Sequence, residues 1–524
     1  MHPLRPFTLS PFHPFRDKGD NVNGNGFPIP DFLGDENPAH ARYHEATELF
    51  ALFDYLRAQK FGVFSIRESL QAVGERSDGT LQGFHLSVDE ALEAIVYMAS
   101  LGVGVVELPA YPANPYGQAM NRRLIEAARE HRLDIEFAAH ARCVAGDVYA
   151  AHEAGFRRIH LYIGASKIKQ ATARATAPVL AEKAFDAIRL ARELGFTSVR
   201  ISTEDAFRTT LDDYDVFYTR LQGLLKEHDL HVDGIGIPDT VGLSTIDELG
   251  DRIAVLRRTG VAFAFLECHV HNDIGAADRI YVDTLLLCMR LGITMLPDFS
   301  ILGIGERNGT IGLSSLLEAI YRRLILLYPR KMPQIRQAMR EKLGMLPSGE
   351  LFVNRYRDMD AFFYRILSRS SFVFDRSPFS SNTEYDGSGV HADTTMRAYH
   401  LALNEGHTGQ TAIDIGNSAY CGALPPYDTP LRTPVLACFG CGKSNVRYWR
   451  EREGLTLRSR AEIAERLSAL EDADTIRLND FSSETAADEA VAQLIRCYSI
   501  RYNGITHQEA MELLMIGIRV MRKT

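Results

Sequence analysis

The 524-residue chain reads as an α/β protein built around a (β/α)8 TIM barrel, followed by an irregular linker subdomain and a small helical C-terminal subdomain. Three observations lead there. Apolar runs alternate with amphipathic stretches eight times between residues 61 and 328. The apolar runs are continuous rather than alternating, as strands buried on both faces must be. The units are evenly spaced, which favours closure into a barrel over an open doubly wound sheet.

In order, the strand candidates are FGVFSIRES at 61–69, VGVVELPAY at 103–111, LDIEFAAHA at 133–141, RRIHLYIGA at 157–165, SVRISTED at 198–205, VDGIGIPDT at 232–240, AFAFLECHVHND at 262–273 and ITMLPDFS at 293–300. Each precedes a stretch with apolar residues at helical spacing, such as SVDEALEAIVYMASLG after the first and IGLSSLLEAIYRRLILL after the last. The chain divides as an N-terminal arm and lead-in helix (1–55), the barrel (56–330), the linker subdomain (331–430) and the helical subdomain (431–524). The arm is rich in Pro, Gly and Asn, with a helix expected at 44–59.

Composition narrows the classes. Apolar residues at 46% and charged residues at 24% are those of an ordinary globular protein. A net charge of −9 sets a general nucleic-acid partner aside. No apolar run is long enough to span a bilayer, and the proline-interrupted N-terminus has no signal-peptide pattern. Seven cysteines in so long a chain form no disulfide framework, so a reducing, cytoplasmic setting is expected. Cys438-Phe439-Gly440-Cys441 is read as structural thiols in a turn, a zinc knuckle being the alternative.

The chemistry gathers at one rim. Barrel active sites lie at the C-terminal ends of the strands. There the sequence places Arg67 and Glu68 on strand 1, Arg200 to Asp205 on strand 5, Pro238 to Thr240 on strand 6, and His269 and His271 on strand 7. Side chains two apart on a strand share a face, so the two histidines can meet one ion. Glu68 is the natural third ligand, and two histidines with one carboxylate leave coordination positions open for a substrate. An ion pair with Arg67 is the plainer alternative for Glu68.

These motifs resemble the DRE-TIM metallolyase family, which includes isopropylmalate, homocitrate and citramalate synthases and hydroxymethylglutaryl-CoA lyase. Arg67-Glu68-Ser69-Leu70-Gln71 is similar to the family's Arg-Asp/Glu-Gly-X-Gln element, with Glu as in homocitrate synthases and Leu70 more lyase-like. HVHNDIG at 269–275 resembles His-X-His-Asn-Asp-X-Gly, and GIGERNG at 303–309 the family's glycine loop. GSGVHAD at 387–393 resembles the Ser-Gly-Ile-His element of the synthases' subdomain, which the lyases lack.

The resemblance implies a fold, a reaction and a site. It implies Claisen condensation of acetyl-CoA with a 2-oxo acid, giving a 2-substituted malate and CoA. It implies a divalent metal (Mg, Mn, Zn or Co) held by Glu68, His269 and His271. Arg67 would stabilise the developing alkoxide. His391, supplied in trans by a homodimer that exchanges subdomains, would act as base with Glu204. Gln71, Tyr111, Arg200, Ser202 and Thr240 would bind substrate, Thr240 at the 1-carboxylate. Arg200 and Ser202 resemble the homocitrate-synthase pair that holds the distal carboxylate of 2-oxoglutarate, while Tyr111 suits a bulkier or aromatic oxo acid. Isopropylmalate, citramalate or arylmalate synthesis, or carbon–carbon cleavage of the lyase type, are the alternatives.

Overall fold

Eight parallel strands close on themselves: β1 (Val63–Ser65), β2 (Val105–Pro109), β3 (Glu136–Arg142), β4 (Arg158–Gly164), β5 (Ser198–Glu204), β6 (Gly234–Asp239), β7 (Phe265–Val270) and β8 (Met295–Phe299). β1 seals the ring, pairing with β2 through Val63 and Val105 and with β8 through Val63 and Asp298. Eight helices follow the strands: α1 (Val88–Ser100), α2 (Pro115–Glu130), α3 (Ala145–Glu153), α4 (Ala177–Glu193), α5 (Leu211–Glu227), α6 (Ile246–Thr259), α7 (Ala277–Arg290) and α8 (Leu313–Leu327). The structure is a computed structural model, and it describes residues 40–76, 79–109, 115–327, 332–346, 348–369, 372, 374–375, 384–420, 428–453, 455–457, 484–501 and 505–520.

The expected alternation holds, with local differences. β1 ends at Ser65, and residues Ile66–Ser69 form one helical turn. Ser65 is the reason: its hydroxyl accepts the Glu68 N–H at 3.2 Å and starts the turn. Arg67 and Glu68 therefore stand on that turn rather than on the strand, where they face the barrel mouth. The lead-in helix covers His40–Ala58, longer than expected.

Beyond the barrel, order is greater than the sequence suggests. Helices Met332–Leu343 and Phe352–Ser368 belong to the barrel's own apolar core. Phe352 stacks on Phe61 at 4.6 Å, and Phe362 on Tyr97 at 4.2 Å. The helical stripe of Phe352, Tyr356, Met359, Phe363 and Ile366 explains this packing. A second apolar core joins Val73, Val435, Leu436, Val446, Val491, Ile495 and Leu514. It is built by helices Lys443–Arg452, Glu484–Arg501 and His507–Gly517. The hairpin Val73–Glu75 and Leu81–Gly83, inserted after β1, ties this core to the barrel, with Gly83 N–H donating to Ala437 O at 2.6 Å. Cys438 and Cys441 are buried free thiols in a turn closed by a 2.9 Å backbone bond, and burial pushes both up to about 12. Among the described residues no helix is long and apolar enough to cross a membrane.

Candidate active site

Glu68, His269 and His271 converge at the barrel mouth, with one ligand atom of each within 4.8 Å of the others. His269 Nδ1 is held by Asp298 at 2.8 Å, which turns Nε2 toward Glu68 Oε2 at 3.5 Å. This carboxylate–histidine pairing is the usual support of a metal-ligating imidazole. His271 Nδ1 is buried without a hydrogen-bond partner among the described residues. Glu68 is fully buried, and its Oε1 accepts the Glu306 N–H at 2.9 Å. Gly305 is required beside it, because a Cβ there would meet Glu68 Oε1 at 2.4 Å.

Electrostatics suit a cation. Burial alone would raise the Glu68 carboxyl, but Arg67, His269 and His271 hold it well below the ordinary range. Burial and the neighbouring Arg307 hold His271 neutral, well below the usual histidine range. Burial would also lower His269, yet Asp298 and Glu68 outweigh it and push that imidazole up to about 10. An ionised carboxylate, a neutral imidazole and a histidine between two acids form a donor set that fits a divalent ion.

A layer of charge lies below. Arg67 donates to Glu107 Oε1 from Nε at 3.0 Å and from Nη2 at 2.9 Å, and to Gln71 Oε1 at 2.7 Å. Arg200 contacts Glu267 and the Ser202 hydroxyl directly and reaches Glu107 at 3.5 Å. His160 Nδ1 sits 2.7 Å from Glu107 Oε2. Glu107, His160 and Glu267 also cluster as a metal site would, but here Arg67 and Arg200 already balance the carboxylates. Arg200 is thus paired internally, with Glu267 and Glu107. Thr240 lines the cavity and accepts the Asp205 N–H at 2.8 Å, leaving its own O–H to donate. Tyr111 lies outside the described residues.

His391 also faces this cavity. It stands in the first turn of helix Gly389–Asn404, whose N-cap Ser388 accepts the His391 N–H at 3.3 Å. Gly387 lets this segment press against the barrel, since a Cβ there would meet Gln71 O at 2.5 Å. The histidine reaches its own chain's barrel mouth, because residues 384–420 fold back over it and Arg208 donates to Ala419 O at 2.9 Å. Within the single chain His391 thus lines the same cavity as His269 and His271. His391 Nδ1 is 2.6 Å from Glu306, and Glu204, which lines the same cavity, accepts from Tyr420 at 2.8 Å and from Lys169 at 3.1 Å. Tyr420 stacks flat on His391 with ring centroids 3.7 Å apart.

Glu107, Glu267, Asp298, Glu306, His160, Lys169 and Tyr420 were not singled out from sequence. Glu267 carried a signal: it is two residues before His269 on the same strand face. Glu107, a lone acid in the apolar run VVELP, carried a weaker one. Lys169, Glu306 and Tyr420 acquire their places only through non-local contacts.

The fold and this rim define a barrel scaffold whose mouth carries a Glu68, His269 and His271 grouping with the donors a cation would need. The chain belongs to the HMGL-like family, whose model matches residues 73–340. The Arg67–Gln71 element and His391 lie outside that match. The mitochondrial homocitrate synthase of Schizosaccharomyces pombe is 31% identical over 260 residues, covering 49% of this chain and 57% of that protein. The cytosolic homocitrate synthase isozyme of Saccharomyces cerevisiae is 30% identical over 231 residues, covering 44% and 50%. The 2-isopropylmalate synthase of Heliobacterium modesticaldum is 34% identical over 263 residues, covering 48% and 46%. The chain thus spans about half the length of these relatives.

Proposed function

We propose that the chain is a divalent-metal-dependent acyltransferase that condenses acetyl-CoA with a 2-oxo acid to give a 2-substituted malate and CoA. One observation carries this reading: His391, an imidazole positioned for proton transfer, shares a single cavity with His269 and His271, whose ring nitrogens Glu68 joins within 4.8 Å. The names of the relatives support the same reaction class. A divalent ion held by Glu68, His269 and His271 would supply a Lewis acid for the keto group.

This chain's residues supply the rest. The Thr240 hydroxyl donates to the 1-carboxylate of the oxo acid. Arg67, anchored by Glu107 and Gln71, presents positive charge where the keto oxygen becomes an alkoxide. His391 takes a methyl proton from acetyl-CoA, with Glu306 fixing its ring at Nδ1. Glu204, held by Tyr420 and Lys169, adds negative charge beside it. The enolate carbon adds to the keto carbon, and water then cleaves the thioester to release CoA. Arg200 and Ser202 meet the distal end of the oxo acid, with 2-oxoglutarate the first candidate. The test is thiol release from acetyl-CoA with pyruvate, 2-oxoisovalerate, oxaloacetate, 2-oxoglutarate and phenylpyruvate, each with and without added metal. Release with one acid and its loss on chelation are expected; silence with all of them would sink the reading.

A further inference from the structure

Lys169 is a buried lysine that the reaction above does not use directly. It lies on the helix Lys167–Ala173 that follows β4, and its side chain is only 7% exposed. It does not line the cavity. Its stem crosses Gly164 so closely that a Cβ there would meet Lys169 Cγ at 2.6 Å. A buried ammonium must be matched by other groups. Here the match is twofold: Glu204 Oε1 accepts at 3.1 Å, and the ring of Tyr420 lies below with its centroid 3.6 Å from Nζ. Burial lowers the lysine, and Glu204 and Asp205 oppose that effect.

The three groups form a closed unit. Tyr420 O–H donates to the same Glu204 oxygen at 2.8 Å, so its ring is held at the edge by the carboxylate and on one face by the ammonium. Tyr420 also stacks on His391 at 3.7 Å with an interplanar angle of 20°. Arg208 fastens the adjoining turn through the Ser418 and Ala419 carbonyls. Tyr420 therefore arrives on a segment outside the barrel, and two barrel cations clamp it.

We propose that Lys169 is a positioning residue for His391: by locking Tyr420 and Glu204 together it keeps the Tyr420 ring flat on the imidazole and the imidazole over the cavity. Its consequence for turnover rests on the proposed condensation; its consequence for His391 does not. Two measurements on the full chain separate these. The first is the rate at which diethyl pyrocarbonate modifies His391, followed by peptide mass spectrometry. Lys169→Met should raise that rate about fivefold or more, and Lys169→Arg should bring it back to within about twofold of wild type, because only a cation can hold both partners. Lys169→Gln, which keeps a donor without charge, replaces the methionine variant if that one does not fold. An unchanged rate in the neutral variant, or no rescue by arginine, overturns the proposal. The second is steady-state kinetics. Lys169→Met should lower kcat about 10–100-fold with KM values within about threefold and metal content unchanged, since the loss is of orientation rather than binding. A wild type that releases no thiol defeats the condensation reading, and the His391 modification rate still decides the role of Lys169.

Discussion

The two sides of the cavity are made from different parts of the chain. Glu68, His269 and His271 stand on or just beyond the first and seventh strands of a closed barrel, and the side chains of Glu68 and His269 are fixed by neighbours on adjacent strands or loops. His391 and Tyr420 come from a segment that follows the barrel, and are fixed by contacts with Glu306, Glu204, Lys169 and Arg208. The first side inherits its geometry from strand register. The second side depends on how that segment docks on the barrel. The proposed reaction needs both at once, one to polarise and one to move a proton.

Breaking the barrel side should have the largest effect. His271→Ala removes a ligand from the trio, so bound metal should fall to background by elemental analysis. Thiol release should fall with it by about a thousandfold or more, because catalysis and substrate binding both depend on the ion. Breaking the other side should look different. His391→Ala should lower kcat by about 100–10,000-fold while the protein retains its metal. A variant that lost both would show that the two sides are not separable as described.

The charged layer beneath offers a stability test. Glu107 takes Arg67, Arg200 and His160 at once, and Arg67, His140 and His160 hold its carboxyl well below the usual range against the upward push of burial. Glu107→Leu would leave buried guanidinium groups without their counter-charge. It should cost about 3–5 kcal/mol in thermal or urea unfolding. A loss below about 1 kcal/mol would mean that Glu68 and Glu267 balance Arg67 and Arg200 without it.

The partner of His391 can be settled by a smaller difference. Glu306→Gln should lower kcat by about 10–100-fold, and Glu204→Gln by less, because of these two carboxylates Glu306 is the one paired with the imidazole, 2.6 Å from Nδ1. The reverse ranking would restore Glu204 as the direct partner.

The same contrast explains what could be read from the residues alone. The barrel was legible because each of its units is a local pattern, an apolar run followed by a helical stripe. His269 and His271 were legible because spacing of two is itself the geometry, and Glu68 because it sits beside Arg67 in a recurring element. Glu267 shared their face and was overlooked for want of a partner in sequence. The contact of His391 with Glu306 and that of Lys169 with Tyr420 follow from how residues 384–420 pack on the barrel, which no local pattern encodes. The helical stripe in Phe352–Ser368 was present but hidden among turn residues on either side.

The smallest expected effect lies furthest from the cavity and concerns pH. In the second core, Leu436 N–H donates to His507 Nδ1 at 3.2 Å, which requires that nitrogen to be unprotonated. Burial, reinforced by Arg452, lowers His507 to about 4. An unfolded histidine titrates near 6.5, so between about 6.5 and 4 the unfolded chain binds a proton that the folded chain refuses. The stability from this residue is therefore complete above about 6.5, declines as the pH falls, and is gone below about 4. Its full size is about 1–3 kcal/mol after allowance for partial exposure. Trp449, the chain's single tryptophan, lies 4.9 Å from His507 and donates from its indole N–H to Pro434 O at 2.6 Å. Its fluorescence thus follows this unit alone. The urea midpoint read from that signal should fall between pH 7 and pH 4.5, while a far-ultraviolet signal dominated by the barrel should move less. His507→Phe should flatten the fluorescence-detected dependence while lowering stability at pH 7, because Leu436 N–H loses its acceptor. A midpoint with the same pH slope in wild type and variant would assign the dependence to other histidines, of which buried His85, also lowered to about 4, is the first to test.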